Sequence, residues 1–486
     1  MADILKNLLG VADCGRISAE LKHFFDGFTW RRLGGLLTGG LLCRMLWSQY
    51  GILLRRRLPF ASMGWPILGH TPGILRMSLE HWADSFLKDK PPAVLSNFLF
   101  SNAVLVQFPL YMARIHQKEL DGECRSEFPP SFGKLLGENS IINLPGGKGH
   151  HHHKRLRGKL LHSLAPKPCL AVLPEMCIEV RRALDSLADD TAKDGFASFE
   201  APATHLAAKV SVLQILAGLS TDLQARVEEL TDRVVSGLFA APVNLGPFSA
   251  FGRAQAARRE LKQILTQLLA EPIKDTRNIL ADLVAATEGG EAFTTEEILD
   301  TILTLLLAGK LTTADALPHL FVNLSQHPDW AAKVEQETLE FSSIEGDSAT
   351  LQVVLESLRC QPPVGAYRRV CKEAIDLGEH GHIPPECQFA VIFRSQLKSM
   401  GDEFDPGRWT PDLVRSQGWL PFGGHQPHSC IGRSLALLEL QLFARILCRE
   451  YEFKAVDPEL ITRASNPINK SFRDGLRVTV VRKARP

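Results

Sequence analysis

One cysteine near the C-terminal end stands where a thiolate could be presented for chemistry. Cys430 follows a loop with two adjacent glycines, Gly423 and Gly424, and precedes a long apolar helical pattern, as in GWLPFGGHQPHSCIGRSLALLELQLFARIL. The free N–H groups and the positive dipole end at the start of a helix stabilise a negatively charged sulfur. The glycines let the loop turn tightly and expose backbone donors. The pattern therefore predicts a presented thiolate at Cys430.

A structural role for Cys430 is the competing interpretation. A free cysteine in apolar surroundings is more often a small core residue than a ligand. The chain of 486 residues has ten cysteines, and none of them forms a Cys-x-x-Cys pair. The sequence therefore indicates neither a zinc site nor a redox dithiol, and a disulfide scaffold is not expected at this length. We expect most of these cysteines to be reduced thiols in a cytosol-like compartment.

Three further patterns precede Cys430 and combine charged or hydroxyl side chains. Glu356 and Arg359 in ESLRC stand three residues apart, so on a helix they share one face. Arg408 follows in FDPGRW and could join these charges in one network. Thr312 lies in AGKLTT, within an apolar run that should form a long helix across the core. Taken alone, a Glu–Arg pair at this spacing is usually a solvated pair worth about 0.3–0.5 kcal/mol.

In combination, these patterns resemble the cytochrome P-450 superfamily of haem-thiolate monooxygenases. PFGGHQPHSCIG resembles its haem-binding segment, ESLRC its Glu-x-x-Arg helix, FDPGRW its Pro-x-Arg-Trp segment, and AGKLTT its oxygen-activating run. The four segments occur in the order of that family, which is far more specific than any one of them. The N-terminal half, from LPFASMGWPILGHTPGIL onward, is most similar to the clan of retinoic-acid hydroxylases and plant brassinosteroid and triterpenoid oxidases.

The resemblance implies a mainly α fold with small β-sheets, in which haem b lies between the long central helix and the helix after the cysteine loop. Cys430 would be the axial ligand of the iron, and a thiolate pushes electron density through the iron and favours O–O cleavage. Gly432 stands where a planar ligand could approach that helix closely. The other cofactor contacts that the resemblance implies are Phe422, His153, Arg157, Arg368 and His428, with Arg369 as the alternative to Arg368.

The resemblance also implies roles on the central helix. Ala308 and Gly309 are small enough for haem and oxygen to lie against the backbone. Thr312 would hydrogen-bond dioxygen and help to deliver protons. A structural network without a chemical step would consist of Glu356, Arg359 and Arg408.

The sequence departs from the family pattern beside Thr312. Leu311 stands where the family has an acidic residue that helps to relay protons, and Lys310, one position earlier, should face elsewhere. The loop from Phe422 to Cys430 is one residue longer than usual, and the stretch before the Arg-Trp segment is shorter. We therefore expect haem binding to be retained and proton delivery to be altered.

Helical patterns dominate the chain outside these segments. They are SLEHWADSFLKDK with a cap at Ser78, HKRLRGKLLHSL, CLAVLPEMCIEVRRALDSLADD with a break near Pro174, RAQAARRELKQILTQLLAE, and the long run that begins at Thr294 or Thr295. Strand patterns are short: NAVLVQF, CQFAVIF and RVTVVRK. We predict one large, mainly α haem-thiolate monooxygenase domain at 58–486.

Residues 1–57 are predicted to form a membrane-associated or targeting segment. Leu33 to Leu54 is long enough to span about 30 Å of hydrocarbon. Arg44 in its middle costs about 2.5–3.5 kcal/mol, and Arg55–Arg57 would keep the following end cytoplasmic. An interfacial helix and a removed targeting segment are the alternatives. We expect an endoplasmic reticulum membrane protein with a cytoplasmic catalytic domain, or alternatively a plastid protein.

The function implied is oxidation of a hydrophobic isoprenoid-type substrate: a sterol, retinoid, carotenoid or terpenoid. Electrons from NADPH would arrive through a separate reductase, or through ferredoxin in a plastid, because the chain carries no dinucleotide-binding fingerprint. The reductase would dock on a basic face to which Arg433, Arg445 and Arg449 could contribute. A formal net charge of +1 gives no reason to expect nucleic acid as a partner.

The alternative is a protein with the same fold that does not hydroxylate. It would be a haem enzyme that rearranges a peroxide, or a lipid-binding pseudoenzyme. Leu311 and the altered cysteine loop favour this alternative, whereas Thr312, Cys430, Glu356 and Arg359 favour the monooxygenase.

Overall fold

The structure of the chain is a computed structural model that describes residues 62–484 with gaps, and short helical pieces between 39 and 50. Outside the described residues lie 1–38, 41, 48–49, 51–61, 67, 78, 99–100, 108–110, 217, 239, 241, 271–277, 287–291, 393–396, 418–419, 425, 457, 459, 462–470, 473–474 and 485–486. The predicted cap at Ser78 and most of the predicted membrane segment Leu33–Leu54 are therefore outside them. Within the described residues, no helix has both the length and the apolar character needed to cross a bilayer.

Helices make up most of the described chain. In chain order they are α1 Thr71–Met77, α2 Leu79–Leu87, α3 Met112–Leu120, α4 Pro130–Leu136, α5 His151–Ser163, α6 Pro166–Leu170, α7 Leu173–Asp194, α8 Glu200–Ile215, α9 Thr221–Leu238, α10 Ala250–Ala270, α11 Ile279–Ala285, α12 Thr295–Gln326, α13 Pro328–Glu335, α14 Ala349–Cys360, α15 Pro411–Gln417 and α16 Arg433–Glu450. Short 3₁₀ turns cover Gly246–Phe248, Gly378–His380, Pro406–Arg408 and Leu420–Phe422.

The strands form small sheets, as expected. They are β1 Ala93–Phe98, β2 Ser101–Gln107, β3 Cys124–Ser126, β4 Ala197–Ser198, β5 Tyr367–Cys371, β6 Ile375–Asp376, β7 His382–Ile383, β8 Gln388–Ile392, β9 Tyr451–Val456, β10 Leu460–Ile461, β11 Ser471–Phe472 and β12 Arg477–Arg482. Five of them form one sheet in the order β1-β2-β8-β5-β3, in which only β2 and β8 pair in parallel. A second sheet has the order β4-β12-β9.

The long apolar run forms α12, which crosses the core. Thr294 accepts a hydrogen bond from the Glu297 N–H at 3.3 Å, and the Glu297 carboxylate accepts one from the Thr294 N–H at 2.6 Å. This reciprocal pair is a capping box, which satisfies two backbone donors at the helix start. Every residue from 298 to 307 is buried, and the helix packs against α8, α14 and α16.

The helical and strand patterns of the sequence are confirmed in type. The break near Pro174 falls between α6 and α7, and Pro174 itself lies in the first turn of α7, where its missing N–H costs no hydrogen bond. The three predicted strands correspond to β2, β8 and β12. The predicted fold class, mainly α with small sheets, is therefore confirmed.

Two cysteines that the sequence places far apart meet between two strands of the large sheet. Cys124 of β3 and Cys371 of β5 are direct partners in the antiparallel register, and both are buried. Their Sγ atoms are 2.7 Å apart, and the Cys124 thiol donates to the Cys371 sulfur. This hydrogen bond lowers the pKa of Cys371. Directly opposed residues have Cα atoms about 4.5–5.5 Å apart, within the span of about 4.4–6.8 Å that a disulfide bridges.

We expect mild oxidation with hydrogen peroxide to join Cys124 to Cys371, with loss of one hydrogen from each thiol. Non-reducing peptide mass spectrometry should then show the two strand peptides linked. The Cys124→Ser variant should lose the linked peptide. The control Cys169→Ser should keep it, because Cys169 is buried beside the Leu164 carbonyl. If both thiols can still be alkylated after oxidation and the two peptides are recovered unlinked, the expectation is contradicted.

Candidate active site around Cys430

The loop before Cys430 closes on itself through backbone hydrogen bonds. The Cys430 N–H donates to the Phe422 carbonyl at 2.8 Å, and the Ser429 N–H donates to the Gln426 carbonyl at 3.0 Å. Gly423 and Gly424 have φ of +87° and +67°, which L side chains rarely adopt. The buried Gln426 side chain donates to the Tyr367 hydroxyl of β5 at 3.3 Å. The described part of this loop is therefore closed by its own backbone and attached to the sheet.

The sulfur of Cys430 faces an open part of the molecule at the start of α16. Its side chain is exposed, and a Cβ added at Gly432 would meet only this sulfur, at 3.9 Å. Burial by the surrounding protein still raises the pKa of the thiol, while the Gly432 N–H, Arg157 and Arg433 act in the opposite direction. A thiol that is accessible and yet dehydrated lies on a concave surface, and a bound cation would deprotonate it.

Helix α5 supplies the side chains nearest to the cysteine loop. Arg157 donates from Nη1 to the Ser429 carbonyl at 2.8 Å and from Nη2 to the Ser429 Oγ at 2.7 Å. The His153 ring lies 4.8 Å from the His428 ring, centroid to centroid, and His428 Nε2 is 3.0 Å from the Leu144 carbonyl. The spacing of His153 and Arg157 on one helix face thus brings both to the loop.

Both histidines are held in the neutral form. Burial, followed by the charge of Arg157, lowers the pKa of His153 to about 4. Burial, followed by the charge of Arg369, lowers the pKa of His428 to about 3. At neutral pH the two rings therefore contribute hydrogen-bonding groups and no positive charge.

Arg368 and Arg369 point to opposite faces of β5, as neighbours in a strand must. Arg368 donates to the Gln388 side chain, and its Nε has no hydrogen-bond partner among the described residues. Arg369 donates to the buried carboxylate of Glu119 at 2.5 Å and acts electrostatically on His428. Of these two arginines, Arg369 therefore acts on His428 of the cysteine loop, and Arg368 keeps a nitrogen without a partner among the described residues.

The AGKLTT run places its residues in different surroundings. Ala308 is exposed although the preceding ten residues are buried. Gly309 faces α8, since a Cβ there would meet the Ser211 Oγ at 2.5 Å, so its small size serves helix packing. The buried Lys310 donates to Asp232 of α9, so it faces away from the site, as expected. The Thr312 hydroxyl donates to the Ala308 carbonyl at 2.9 Å.

The expected Glu–Arg–Arg network is present and buried. Glu356 and Arg359 are 0% and 1% exposed, and Arg359 makes a bidentate pair with the Glu356 carboxylate, both distances being 2.8 Å. Arg408 Nε donates to the same carboxylate at 3.1 Å, and the Trp409 indole N–H donates to it at 2.9 Å. The network therefore attaches α14 to the segment before the cysteine loop, as the sequence resemblance implied.

Comparison with known proteins identifies the family. A sequence description of the cytochrome P450 family matches residues 220–470, just over half of the chain. This chain belongs to the cytochrome P450 family. It is an oxidoreductase of the monooxygenase type, and the family holds its haem iron through a cysteine.

Individual relatives are distant but cover nearly the whole P450 chain. It is 23% identical over 465 residues to beta-amyrin 11-oxidase of Glycyrrhiza uralensis, covering 87% of this chain and 91% of that protein. It is 24% identical over 449 residues to protopanaxadiol 6-hydroxylase of Panax ginseng, covering 86% and 92%. Its fold matches the structure titled retinoic acid bound cyanobacterial CYP120A1 with a TM-score of 0.72 and 24% identity, covering 88% and 100%.

The residues around Cys430 fit a haem. His153 Nε2 and Arg368 Nε are buried nitrogen atoms without a hydrogen-bond partner among the described residues, as groups that await an anionic partner would be. Cys430 supplies the soft ligand that iron in this family takes. Ala308 of α12 and Gly432 of α16 leave room beside the sulfur and the central helix. Phe422 fixes the loop through its backbone carbonyl.

One expectation about the P450 surface is wrong. Arg445 is buried, pairs with Glu337 at 2.9 Å and stacks over the Phe341 ring at 4.1 Å, so it cannot contribute to a docking face. Its position on the inner face of α16 follows from the packing of that helix. Arg433 is half-buried and Arg449 is exposed, so both keep solvent-accessible surface.

Sequence reasoning missed Asp315, Ser429 and Trp409. Ser429 binds Arg157 through both oxygens, and Trp409 completes the Glu356 network. Asp315 is a carboxyl one turn beyond Leu311 on α12. Its signal was present in the sequence, since an aspartate within an apolar helix needs a partner or a function.

We expect Glu356→Ala to lower the free energy of unfolding by about 3–5 kcal/mol, because it leaves Arg359 buried without its counter-charge. Trp409→Phe removes one donor and should cost about 1–3 kcal/mol. The exposed pair of Asp412 and Arg415 has the same i, i+3 spacing, so Asp412→Ala is the matched control and should cost far less. Urea unfolding followed by circular dichroism measures all three. Equal losses for Glu356→Ala and Asp412→Ala would show that burial of the pair does not matter.

Proposed function

We propose that this P450 hydroxylates or oxidises a hydrophobic isoprenoid-type substrate, such as a sterol, retinoid, carotenoid or terpenoid. Dioxygen supplies the inserted oxygen, and electrons come from NADPH through a separate reductase, or from ferredoxin if the protein is plastidial. One oxygen atom enters the substrate, and the other leaves as water with two protons. The observation that carries the proposal is the accessible Cys430 sulfur beside buried, unpartnered nitrogen donors.

In this proposal Cys430 ligates the haem iron. Arg157, His153 and His428 lie around the cysteine loop, and Arg368 and Arg369 offer further donors. A haem with a thiolate ligand supplies the activation of dioxygen. The chain's own residues position the substrate, exclude water and supply protons. Ala308 and Thr312 would line the substrate side, because both lie in the partly open stretch 308–315 between the buried stretches 298–307 and 316–322 of α12.

The substrate class rests on chemistry and on the names of two relatives. Ala308 and Leu311 lie three residues apart on the partly open face of α12, so this face offers apolar contacts. The two plant relatives are named for a β-amyrin and a protopanaxadiol substrate. An apolar pocket of this kind binds by burying hydrocarbon surface, which suits a terpenoid skeleton.

Substrate entry from a membrane fits an apolar loop between α9 and α10. Phe248 is 89% exposed, and Leu245 and Val243 are 62% and 54% exposed. Such a cluster of large apolar side chains marks an interaction surface for lipid or protein. This surface supports membrane contact, and we propose the endoplasmic reticulum membrane, with a cytoplasmic catalytic domain, as the location; a plastid is the alternative. The reductase would approach a basic surface to which Arg433 and Arg449, at the two ends of α16, contribute.

A non-hydroxylating haem protein remains the second candidate, because Leu311 lacks the carboxylate of the family pattern. A peroxide-rearranging enzyme would need neither a reductase nor proton delivery from α12. The two candidates differ in their co-substrates. The monooxygenase should form product with NADPH and a reductase, whereas the peroxide-rearranging enzyme should form product from an organic peroxide alone.

The first test is the absorption spectrum of the purified, dithionite-reduced protein with and without carbon monoxide. We expect the long-wavelength Soret band of thiolate ligation, and we expect Cys430→Ser to lose it. Terpenoid and sterol panels should then shift the ferric Soret band on binding and give oxygenated products with NADPH and reductase. A spectrum without that band, unchanged in Cys430→Ser, would refute haem-thiolate chemistry for this chain.

The membrane contact has a separate test. In phosphatidylcholine vesicles with brominated acyl chains, the Phe248→Trp variant should gain fluorescence quenching over wild type, because its indole would enter the lipid. Val481→Trp is the control, since Val481 is 52% exposed but lies on β12. Equal quenching of both variants would place the 243–248 loop away from the membrane.

A further inference from the structure

Asp315 stands on the open stripe of the central helix. It follows Ala308 by seven residues, Leu311 by four and Thr312 by three. At 3.6 residues per turn, these offsets place Asp315 about 20°, about 40° and about 60° around the helix from those residues. The positions 308, 311, 312 and 315 are all exposed or half-buried, whereas 298–307 and 316–322 are buried. The carboxyl of Asp315 therefore shares the face of α12 that carries the Thr312 hydroxyl.

Asp315 differs from the other inward-facing carboxyl of α12. Asp300 is buried and paired with Arg258 at 2.8 Å and with Lys262 at 2.9 Å. Among the described residues, Asp315 makes no hydrogen bond or ion pair. Structural carboxylates inside proteins are paired, so an unpaired one in an apolar helix calls for another explanation.

The surroundings of Asp315 favour its protonated form. Burial raises the pKa of the Asp315 carboxyl well above its usual value, and no charge offsets this effect. Asp315 is nevertheless only half-buried, so part of its surface is accessible to solvent. Cys430 is likewise accessible. A carboxyl that is dehydrated and yet accessible lies at the wall of a concave site, where a neutral acid can donate a proton.

We propose that Asp315 supplies protons to the site beside Thr312, the task for which Leu311 has no polar group. This inference rests on the proposed function, because each oxygenation consumes two electrons from the reductase and two protons. The Asp315 O–H donates toward the Thr312 hydroxyl or a water beside it. A haem held at Cys430 would supply the reductive cleavage of dioxygen, with one oxygen atom inserted into a substrate C–H bond and the other released as water with the two protons. The Asp315 carboxylate then recovers its proton from solvent.

The key variant is Asp315→Asn, which keeps the shape of the side chain and removes its acidic proton. Glu296→Gln is the matched control, because Glu296 lies on the same helix and is exposed near its start. The reporter of proton supply is the amount of product formed per NADPH consumed. We expect this coupling to fall at least about ten-fold in Asp315→Asn, with a matching rise in hydrogen peroxide, since general acid groups contribute about 10²–10⁴-fold. Glu296→Gln should remain coupled like wild type.

Relocation of the carboxyl provides the rescue. In the double variant Leu311→Asp with Asp315→Asn, an acid stands one turn earlier on the same stripe. Coupling should recover toward the wild-type value if proton supply is the lost function. A structural role of Asp315 would give no such recovery, because the side chain at 315 is unchanged between the single and the double variant.

A second readout requires no turnover. Infrared spectra of the full-length protein, recorded above the ordinary pKa of an aspartate, should contain a protonated-carboxyl band that Asp315→Asn loses and Glu296→Gln keeps. The folded-state pKa of Asp315 is raised, so its neutral form stabilises the fold at low pH and this contribution is lost as pH rises through that pKa. Wild type should therefore lose thermal stability relative to Asp315→Asn as the pH increases.

The outcomes separate this inference from the function on which it rests. An Asp315→Asn variant with a normal carbon monoxide band and unchanged coupling overturns the role of Asp315 and leaves the monooxygenase proposal standing. An infrared spectrum in which Asp315→Asn loses no carboxyl band overturns the role as well. A wild-type protein without the thiolate-type band refutes the proposed function itself.

Discussion

The buried carboxylate of Glu356 ties together the parts of this P450 that must hold Cys430. It accepts hydrogen bonds from two arginines, an indole and the Asp405 backbone N–H, at distances from 2.8 to 3.1 Å. Arg359 and Arg408 use their remaining donors on backbone carbonyls between 397 and 403. These hydrogen bonds tie the 397–403 segment to the Glu356 network, which thereby fixes the path of the chain toward the cysteine loop.

The two sides of the site differ in chemistry for a physical reason. On the side of α5 and β5, donors converge on the cysteine loop, and the charge comes from arginines because burial keeps His153 and His428 neutral. On the side of α12, the open positions carry a methyl group, a leucine, a hydroxyl and one carboxyl. The first side suits an anionic cofactor edge, and the second suits an apolar substrate with a small polar group beside it.

The central helix meets several demands within two turns. Gly309 permits the close approach to Ser211 of α8, and Lys310 reaches Asp232 of α9. These two positions are therefore used for packing between helices. In the proposed function Thr312 and Asp315 remain for the site, and Asp315 provides a carboxyl one turn beyond Leu311, where the family pattern has its acidic residue. Movement of a charge by one helical turn keeps it on the same face, because 3.6 residues complete a turn.

The sequence by itself located the strongly patterned elements and predicted the central site residues. Apolar periodicity located α12 and α16, β-branched runs located β2, β8 and β12, and the order of four local segments predicted Cys430, Glu356, Arg359, Arg408 and Thr312. These features depend on neighbours within about one or two helical turns, which the sequence displays directly. For the same reason, the sequence indicated a helix cap at Thr294 or Thr295 and turn glycines before Cys430.

Only the tertiary structure decided which side chains meet across the chain. Strand pairing assigned Arg368 and Arg369 to opposite faces of β5, and helix packing buried Arg445 against Glu337. It also opposed Cys124 to Cys371 and left Asp315 without a partner among the described residues. Contacts between residues so distant in sequence depend on the register and rotation of whole elements, and local residue patterns do not specify these.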